Sequence, residues 1–526
     1  MKHADGRRSV PVMVMSALLA MVGSMVAHAS AATGTDGASE GIAGHPGCAQ
    51  LDAHGCLELA LAAMGGRDKL AGIHDEQLDV VGHTVLAEQS PRQAPFLTTY
   101  SRDELTLDFD RDRLLDRRHD AFPIADPQQA ESDSILVVGG QGGVYRGKDS
   151  DAPCSQADLE AAQEMLALGP ARLLLTAAAA PDLHYAGSEW LRSTPHSVLE
   201  FTWLGQPVRV LLNASNHLPD AYERTTTFHA PDFWFAWGDV DQRIYYDNWE
   251  LLGGVLLPTN RIEERNGLLW RSSQILGARF NVALDDKDFA MDATTAAKSN
   301  QSKGWDRDFS DRYRVELAPG IELYRGAWNV TLIRQDDGVL VLEAPISPHY
   351  VAGVLAEARS EFPGVPVKAV LSSSDSWPHV AGVREAVAAG LPVYILDLNR
   401  PLLQRLVSAP HRLSPDRLQM APRAAQWRVV ADGQAIGSGA NRIVVYPLRG
   451  ANTERQYMVY FPQYKLLYAS DTLQMMADHA LFDPQMMHEV VQAVRREHLQ
   501  VDTVYAMHAG PTPWSEVVRM VDKATR

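Results

Sequence analysis

The sequence predicts two unlike halves: an antiparallel β-rich half decorated with helices, then a half of mixed α+β and α/β character. Three observations point there. The chain has 526 residues, 46% hydrophobic and 21% charged, too long for one ordinary domain and rich enough in apolar material for large cores. Between about 75 and 290, short runs of alternating polarity are separated by turn residues. After that come hairpins, then strand–helix alternation, then hairpins and a helix again, the pattern of sheets flanked by helices.

Taken in order, the first elements concern targeting. Lys2, Arg7 and Arg8 precede an apolar run from Val10 to Val26, and small residues follow in Ala27-His28-Ala29 and Ala29-Ser30-Ala31. This is the layout of a cleaved secretory signal over residues 1–29. The run is broken by Gly23 and is marginal for crossing a bilayer. The expectation is therefore a periplasmic or secreted protein with no stable membrane span after signal cleavage. Residues 30–47 are small and polar, a flexible segment. Cys48 and Cys56 either pair across a short loop in an oxidising compartment or stay idle thiols like Cys154.

A β-rich exported domain is expected over 48–290. Gln50 to Ile73 reads as helical, with Leu57, Leu59, Leu61 and Met64 on a broad apolar stripe and Gly65-Gly66 as a break. Ser197–Trp203, Val208–Leu212, Arg243–Trp249 and Leu268–Ile275 read as strands. Gln156–Ala180 reads as one long helix between them. The rings of Phe228–Trp249 read as core packing. Residues 291–312 are polar and read as a linker.

The half from 313 to 526 has another rhythm. Asn329–Arg334 and Val339–Ala344 flank Asp337-Gly338, a hairpin signal. Helices are expected over 349–361, Val380–Ala389 (closed by Gly390), Arg400–Leu406 and Pro484–Glu497. Strands are expected at Lys368–Ser372, Val393–Leu396, Trp427–Ala431, Ile443–Pro447, Tyr457–Phe461, Leu466–Ser470 and Thr503–Met507.

Three of these strand ends carry groups able to do chemistry, where layered α/β proteins place reactive loops. Ser373–His379 follows one strand, Asp471 closes a second and His508 follows a third. Two imidazoles and one carboxylate suit a divalent metal, Zn or else Fe or Mn, and three protein ligands leave positions open. Lys and Arg total 48 against 65 Asp and Glu, a net charge of −17, which excludes a phosphate-backbone binder and so a nucleic-acid partner. No serine elbow, P-loop or Rossmann glycine pattern is present.

Residues 315–515 resemble the metallo-β-lactamase superfamily. The likeness rests on Val315–Ile321 with the following hairpin, on Tyr460-Phe461-Pro462 with Lys465–Leu473, and on Ala506-Met507-His508-Ala509-Gly510. It implies an αββα sandwich with metals at one edge, hydrolase activity on a small-molecule substrate, a bridging role for Asp471 and a terminal-ligand role for His508. The superfamily's His-x-His-x-Asp-His signature is altered here to Ser374-Asp375-Ser376-Trp377-Pro378-His379. Only its last histidine, His379, is kept, and no histidine stands in Gly450–Thr453 where another is expected.

The resemblance thus implies one metal held by His379, Asp471 and His508, with Asp375 standing in for a lost carboxylate and sharing a catalytic role with Asp471. The substrate class is open among ester, thioester, amide and phosphoester, and the loss of the histidine cluster argues against β-lactam hydrolysis. The competing reading is a degenerate enzyme serving as a binding or scaffold protein. Trp377, Arg449 and Glu454 flank the site as substrate-contacting candidates, against packing for the tryptophan and a surface ion cluster for the other two. The first half more loosely resembles exported half-open β-barrels of the lipoprotein-carrier type, through Ala62–Gly66 and Tyr246–Trp249 leading to Gly254–Pro258. That implies an apolar concave face and a hydrophobic or lipid-like ligand.

Overall fold

The computed structural model describes residues 47–87, 96–122, 131–140, 142–230, 232–301, 306–476 and 479–524. The signal-peptide expectation for 1–29 and all but the last residue of the flexible segment 30–47 lie outside these. Among the described residues no helix is long and apolar enough to cross a membrane. They form mixed α/β structure in one compact unit.

The first half is one antiparallel sheet of thirteen strands built from two meanders. One runs from Asp75–Val85 through Thr98–Asp108 and Arg113–Ala121 to an edge at Ala152–Pro153. The other runs from an edge at His184–Leu191 through Val240–Leu252 and Val255–Arg265 to Leu268–Phe280. They join where the first strand pairs with the last, Leu78 opposite Ala278. Turn chemistry sets the register. Asn266-Gly267 takes positive φ at both residues (49° and 74°), as a two-residue hairpin requires.

Helices cover part of one sheet face. Ala53–Ala63 starts at Asp52, whose carboxylate accepts from Gly55 N at 2.7 Å, and stops before Gly65-Gly66. Cys48 and Cys56 form a disulfide at its start, while Cys154 is buried and free. The expected single helix over 156–180 is two, Gln156–Leu168 and Leu173–Ala179, because Gly169-Pro170 interrupts it. Leu57, Leu61, Leu174 and Ala177 pack on Leu199, Phe201, Val210, Ile244 and Tyr246.

Further along the same face the described side chains are largely charged where an apolar surface is expected. Ile244 stands opposite Glu263. Ion pairs follow: Arg265–Glu263 (2.7 Å), Arg224–Glu164 (2.8 Å) and Arg271–Asp103 (2.9 Å). The apolar area is thus taken by the protein's own helices and the remainder is charged. A cavity of about 770 Å³ lies at the helix edge, with Phe109, Leu166 and Trp203 beside Arg172, Asp110 and Asp112.

The segment expected as a linker is partly built into the fold. Ala293–Ala297 is helical, Ala296 is fully buried, and Ser299 Oγ accepts from Gly143 N.

The second half is an αββα sandwich. One sheet of seven strands spans Arg314–Ala318 to Gln426–Val429 and one of six spans Gln434–Ile436 to Thr512–Pro513. Their facing residues, among them Leu323, Leu340, Leu371, Val445, Val459 and Phe461, form one core. Pro348–Glu361, Val383–Ala388 and Arg400–Ser408 cover the outside of the first sheet. Pro484–Arg496 and the C-terminal helix Trp514–Ala524, absent from the sequence-based expectation, cover the second.

The two halves meet at a tryptophan cluster. Trp234 and Trp237, on the 3-10 turn Phe233–Trp237, enter the same core as Trp377.

Candidate metal centre

His379 sits on the short helix Trp377–Val380, a few residues after the strand Val367–Leu371. Pro378 at the helix start suits the first turn, and its carbonyl accepts from Ile346 N at 2.6 Å. Asp471 follows the strand Leu466–Tyr468 through Ser470, whose φ of 55° turns the chain sharply. A non-glycine residue holds that conformation only when its surroundings compensate. Here Ser470 Oγ lies 2.7 Å from Ser373 Oγ and donates to Ser373 O at 3.1 Å, which ties the Asp471 loop to the loop before His379. His508 follows the strand Thr503–Tyr505, and Met507 N donates to Ser470 O at 2.9 Å.

The three side chains converge. One ligand atom from each of His379, Asp471 and His508 lies within 4.8 Å of the others. His508 Nε2 is 3.1 Å from Asp471 Oδ1 and 3.3 Å from His379 Nε2. His379 Nδ1 is 3.5 Å from Asp471 Oδ2.

Burial lowers His379 to about 4, against the opposing pull of Asp471, so its imidazole is neutral near pH 7. Burial also opposes charge on His508 and Asp471. In each the attraction to the neighbouring groups wins: Asp471 raises His508, and His379 followed by His508 hold the Asp471 carboxyl below its ordinary value.

Two features fit a divalent metal. His508 Nδ1 is 2.7 Å from Ala327 O, a contact that fixes the tautomer with Nε2 free to ligate. His379 Nδ1 is buried with no hydrogen-bond partner, an expense that a neutral structural histidine rarely carries. Two imidazoles and one carboxylate are an ordinary donor set for Zn, Fe or Mn.

Beside Asp471 lies a cavity of about 230 Å³. Ser374, Asp375, Ser376 and Gln456 line its polar side, and Leu86, Phe122 and Phe233 reach it from the first half. Asp375, expected as a catalytic carboxylate, does face this cavity. Its Oδ2 is also 2.6 Å from Arg455 Nε, both side chains being nearly fully buried, so it is an ion-paired wall residue and not a free base.

Trp377 is corrected from a pocket wall to a core residue. It is fully buried, with its ring centroid 4.6 Å from Trp234 and 5.3 Å from Trp237, edge to face. Arg449 is half-exposed and pairs with Asp397 at 2.7 Å, and neither it nor Glu454 lines the cavity.

Several supporting residues escaped the sequence reading. Asn329 Nδ2 donates to Ala506 O (2.9 Å) and Ala509 O (3.1 Å), which clamps the turn that carries His508. Gln456 Oε1 accepts from Asp471 N at 3.0 Å, and Gln474 donates to Asp471 Oδ1 at 3.1 Å. The Trp328 ring stands edge-on to both histidines. Glu343 is buried with φ of 79°. Its carboxylate accepts from Ser373 N and from Tyr468 OH at 3.1 Å, and burial pushes it up to about 7. Asn329 directly precedes a strand and is itself buried, a placement that hints at a clamp; the others carry no such signal.

No family model matches the chain, and no curated protein sequence matches it either. Solved structures that resemble its C-terminal part are metallo-β-lactamase-fold proteins. A metallo-β-lactamase from Hirschia baltica shares 14% identity over 41% of this chain and 97% of its own, with a TM-score of 0.31. One from Erythrobacter litoralis shares 13% over 42% and 98%, with a TM-score of 0.32. The inverting sec-alkylsulfatase Pisa1 from Pseudomonas sp. shares 15% over 40% of each chain, with a TM-score of 0.29.

Proposed function

We propose that this protein is an exported, metal-dependent hydrolase that uses one divalent ion, Zn or alternatively Fe or Mn, to cleave a small-molecule substrate of the ester, thioester, amide or phosphoester class. The observation that carries the reading is the convergence of three ligand atoms from three separate strand ends within 4.8 Å, with His508 oriented from behind by the Ala327 carbonyl. His379, Asp471 and His508 would hold the ion. Once bound, it would supply Lewis acidity toward a substrate oxygen and toward water.

The chain's own residues do the rest. Asp471 lines both the ligand cluster and the cavity, so a substrate in the cavity lies against the reactive edge. Gln456 and Gln474 fix its backbone and carboxylate. Phe122 and Phe233 of the first half form part of the slot's apolar wall. Asp375 shapes the cavity with its charge offset by Arg455.

Metal content by mass spectrometry tests this directly, on untagged protein beside His508→Ala. Roughly one metal per chain in the wild type and none in the variant is expected for a three-ligand site. No metal in either after incubation with Zn, Mn and Fe would leave the hydrolase reading without support.

A further inference from the structure

We propose that the first half carries a ligand site of its own, apart from the metal centre, for a zwitterion with an apolar body: a free apolar α-amino acid or a dipeptide of such residues. This assignment does not depend on the hydrolase reading.

The place is the cavity of about 770 Å³ at the helix edge, within the ~300–1,000 Å³ of ordinary ligand sites. Two hairpin turns and two helices wall it. Phe109 and Asp112 come from the turn between Thr98–Asp108 and Arg113–Ala121, and Trp203 and Leu204 from the turn between Thr194–Trp203 and Gln206–Asn213. Leu166 and Leu175 come from the helices Gln156–Leu168 and Leu173–Ala179. Leu204 is 67% exposed and holds φ of 47° ahead of Gly205 at 76°. The first position of such a two-residue turn favours Asn or Gly, so a leucine there is costly in both conformation and exposure. An apolar ligand body resting on it offsets the exposure.

Charge selects the ligand. Arg172 lines the cavity, its guanidinium 4.0 Å over the Phe109 ring and donating to Ile73 O. Its Nε is buried without a hydrogen-bond partner, and it forms no ion pair among the described residues. Burial outweighs the attraction of Asp110, Glu76 and Asp112 and draws this guanidinium below the ordinary arginine range. Two of those carboxyls are poor counter-ions. Asp110 is paired with His74 at 3.0 Å, and Glu76 is fully buried and pushed up to about 7. Asp112 is exposed in its turn and makes no hydrogen bond or ion pair among the described residues. The cavity thus presents one cation and one anion that do not reach each other. A ligand with a carboxylate and an ammonium answers both through charge-assisted bonds. A simple anion or cation answers one and is repelled by the other.

The test is calorimetry on the full chain at neutral pH. The probes are leucine and leucyl-leucine, each also with its ammonium acetylated or its carboxylate amidated. At least one parent is expected to bind, and the tighter of the two tells free amino acid from dipeptide. Either blocked form of that parent should bind about tenfold more weakly, the worth of one charge-assisted hydrogen bond. Arg172→Gln should weaken the parent about tenfold and leave the amidated form unchanged. Asp112→Asn should weaken the parent and leave the acetylated form unchanged. Leu204→Asn should weaken every probe yet melt no earlier, because asparagine suits the turn.

A blocked form that binds as tightly as its parent overturns the proposal. So does full affinity for the parent in Asp112→Asn or in a folded Arg172→Gln protein, and so does the absence of binding by either parent at millimolar concentration. A Leu204→Asn protein with wild-type affinity removes this cavity as the place of binding. Asp112 and Leu204 are both exposed turn residues, so their variants keep the test readable should Arg172→Gln fail to fold.

Discussion

Replacing Trp234 by alanine should cost stability and metal affinity together. Trp234 is fully buried, its ring 4.6 Å from Trp377 and 5.8 Å from Trp270. Burying an indole removes about 200 Å² from water, worth roughly 5 kcal/mol at 25 cal/mol/Å². Large-to-alanine changes in cores cost about 3–5 kcal/mol because neighbours collapse only in part. A loss near 4 kcal/mol is expected in urea unfolding followed by circular dichroism.

The second effect is local. Trp377 and His379 share one four-residue helix, so a void under Trp377 frees the helix to tilt. Ligand geometry tolerates displacements of only about 0.5 Å, and loss of support behind a ligand typically weakens metal binding ~10–100-fold. Chelator competition on the still-folded variant reads this. Trp190→Ala, at a ring 60% exposed, is the control and should change neither quantity beyond ~0.5 kcal/mol. A Trp234→Ala protein that is destabilised yet keeps wild-type metal affinity would refute the claim that the first half anchors the ligand helix.

Other outcomes follow from the same structure. Glu343 has an ordinary value of 4.5 and is pushed up to about 7 by burial, so the folded protein favours its protonated form. Stability is then lost as pH rises from about 4.5 through about 7, by ~3 kcal/mol in all, and Glu343→Gln should flatten that part of a pH-dependent melting series. Asp375→Ala removes the buried carboxylate that faces Arg455 and should cost ~3–5 kcal/mol; Asp375→Ala with Arg455→Leu should recover much of it in a double-mutant cycle. Asn329→Ala unclamps the His508 turn and should weaken metal binding about tenfold in chelator competition. Reduction of Cys48–Cys56, eight residues apart, should lower stability by ~2–3 kcal/mol on loop-closure grounds, read by unfolding with and without dithiothreitol.

The parts of this molecule legible in the sequence are those fixed locally. Ile443–Pro447 and Tyr457–Phe461 form strands at the expected residues because period and turn residues are both short-range signals. His379, Asp471 and His508 could be named together because each stands at a strand end, and strand ends can be found without knowing which strands pair.

What was missed is long-range. Nothing near Trp377 says whether its ring faces a slot or a core, since its partner Trp234 lies in the other half. Asp375 reads as a free carboxylate until Arg455 folds against it. The run 291–312 is polar and so reads as a linker, yet its Ala296 buries against Val144 of the strand Gly142–Tyr145. The first sheet's unity is hidden for the same reason: its two meanders look like separate sheets until Asp75–Val85 meets Leu268–Phe280.

That last pairing constrains the order in which the chain can finish folding. Each meander closes by hairpins between neighbours, the inexpensive local contacts. The seam between them waits until residue 280 is available, after both outer edges exist. Until then Asp75–Val85 and Leu268–Phe280 each present an unpaired rim of amide and carbonyl groups, the surface that invites mispairing between chains. The same seam makes the first half divisible. A break between the edges at Ala152–Pro153 and His184–Leu191 cuts no strand, so the pieces on either side would be complementary halves that meet along the seam of Asp75–Val85 with Leu268–Phe280 and through the packing of Leu57 and Leu61 on Leu199 and Phe201.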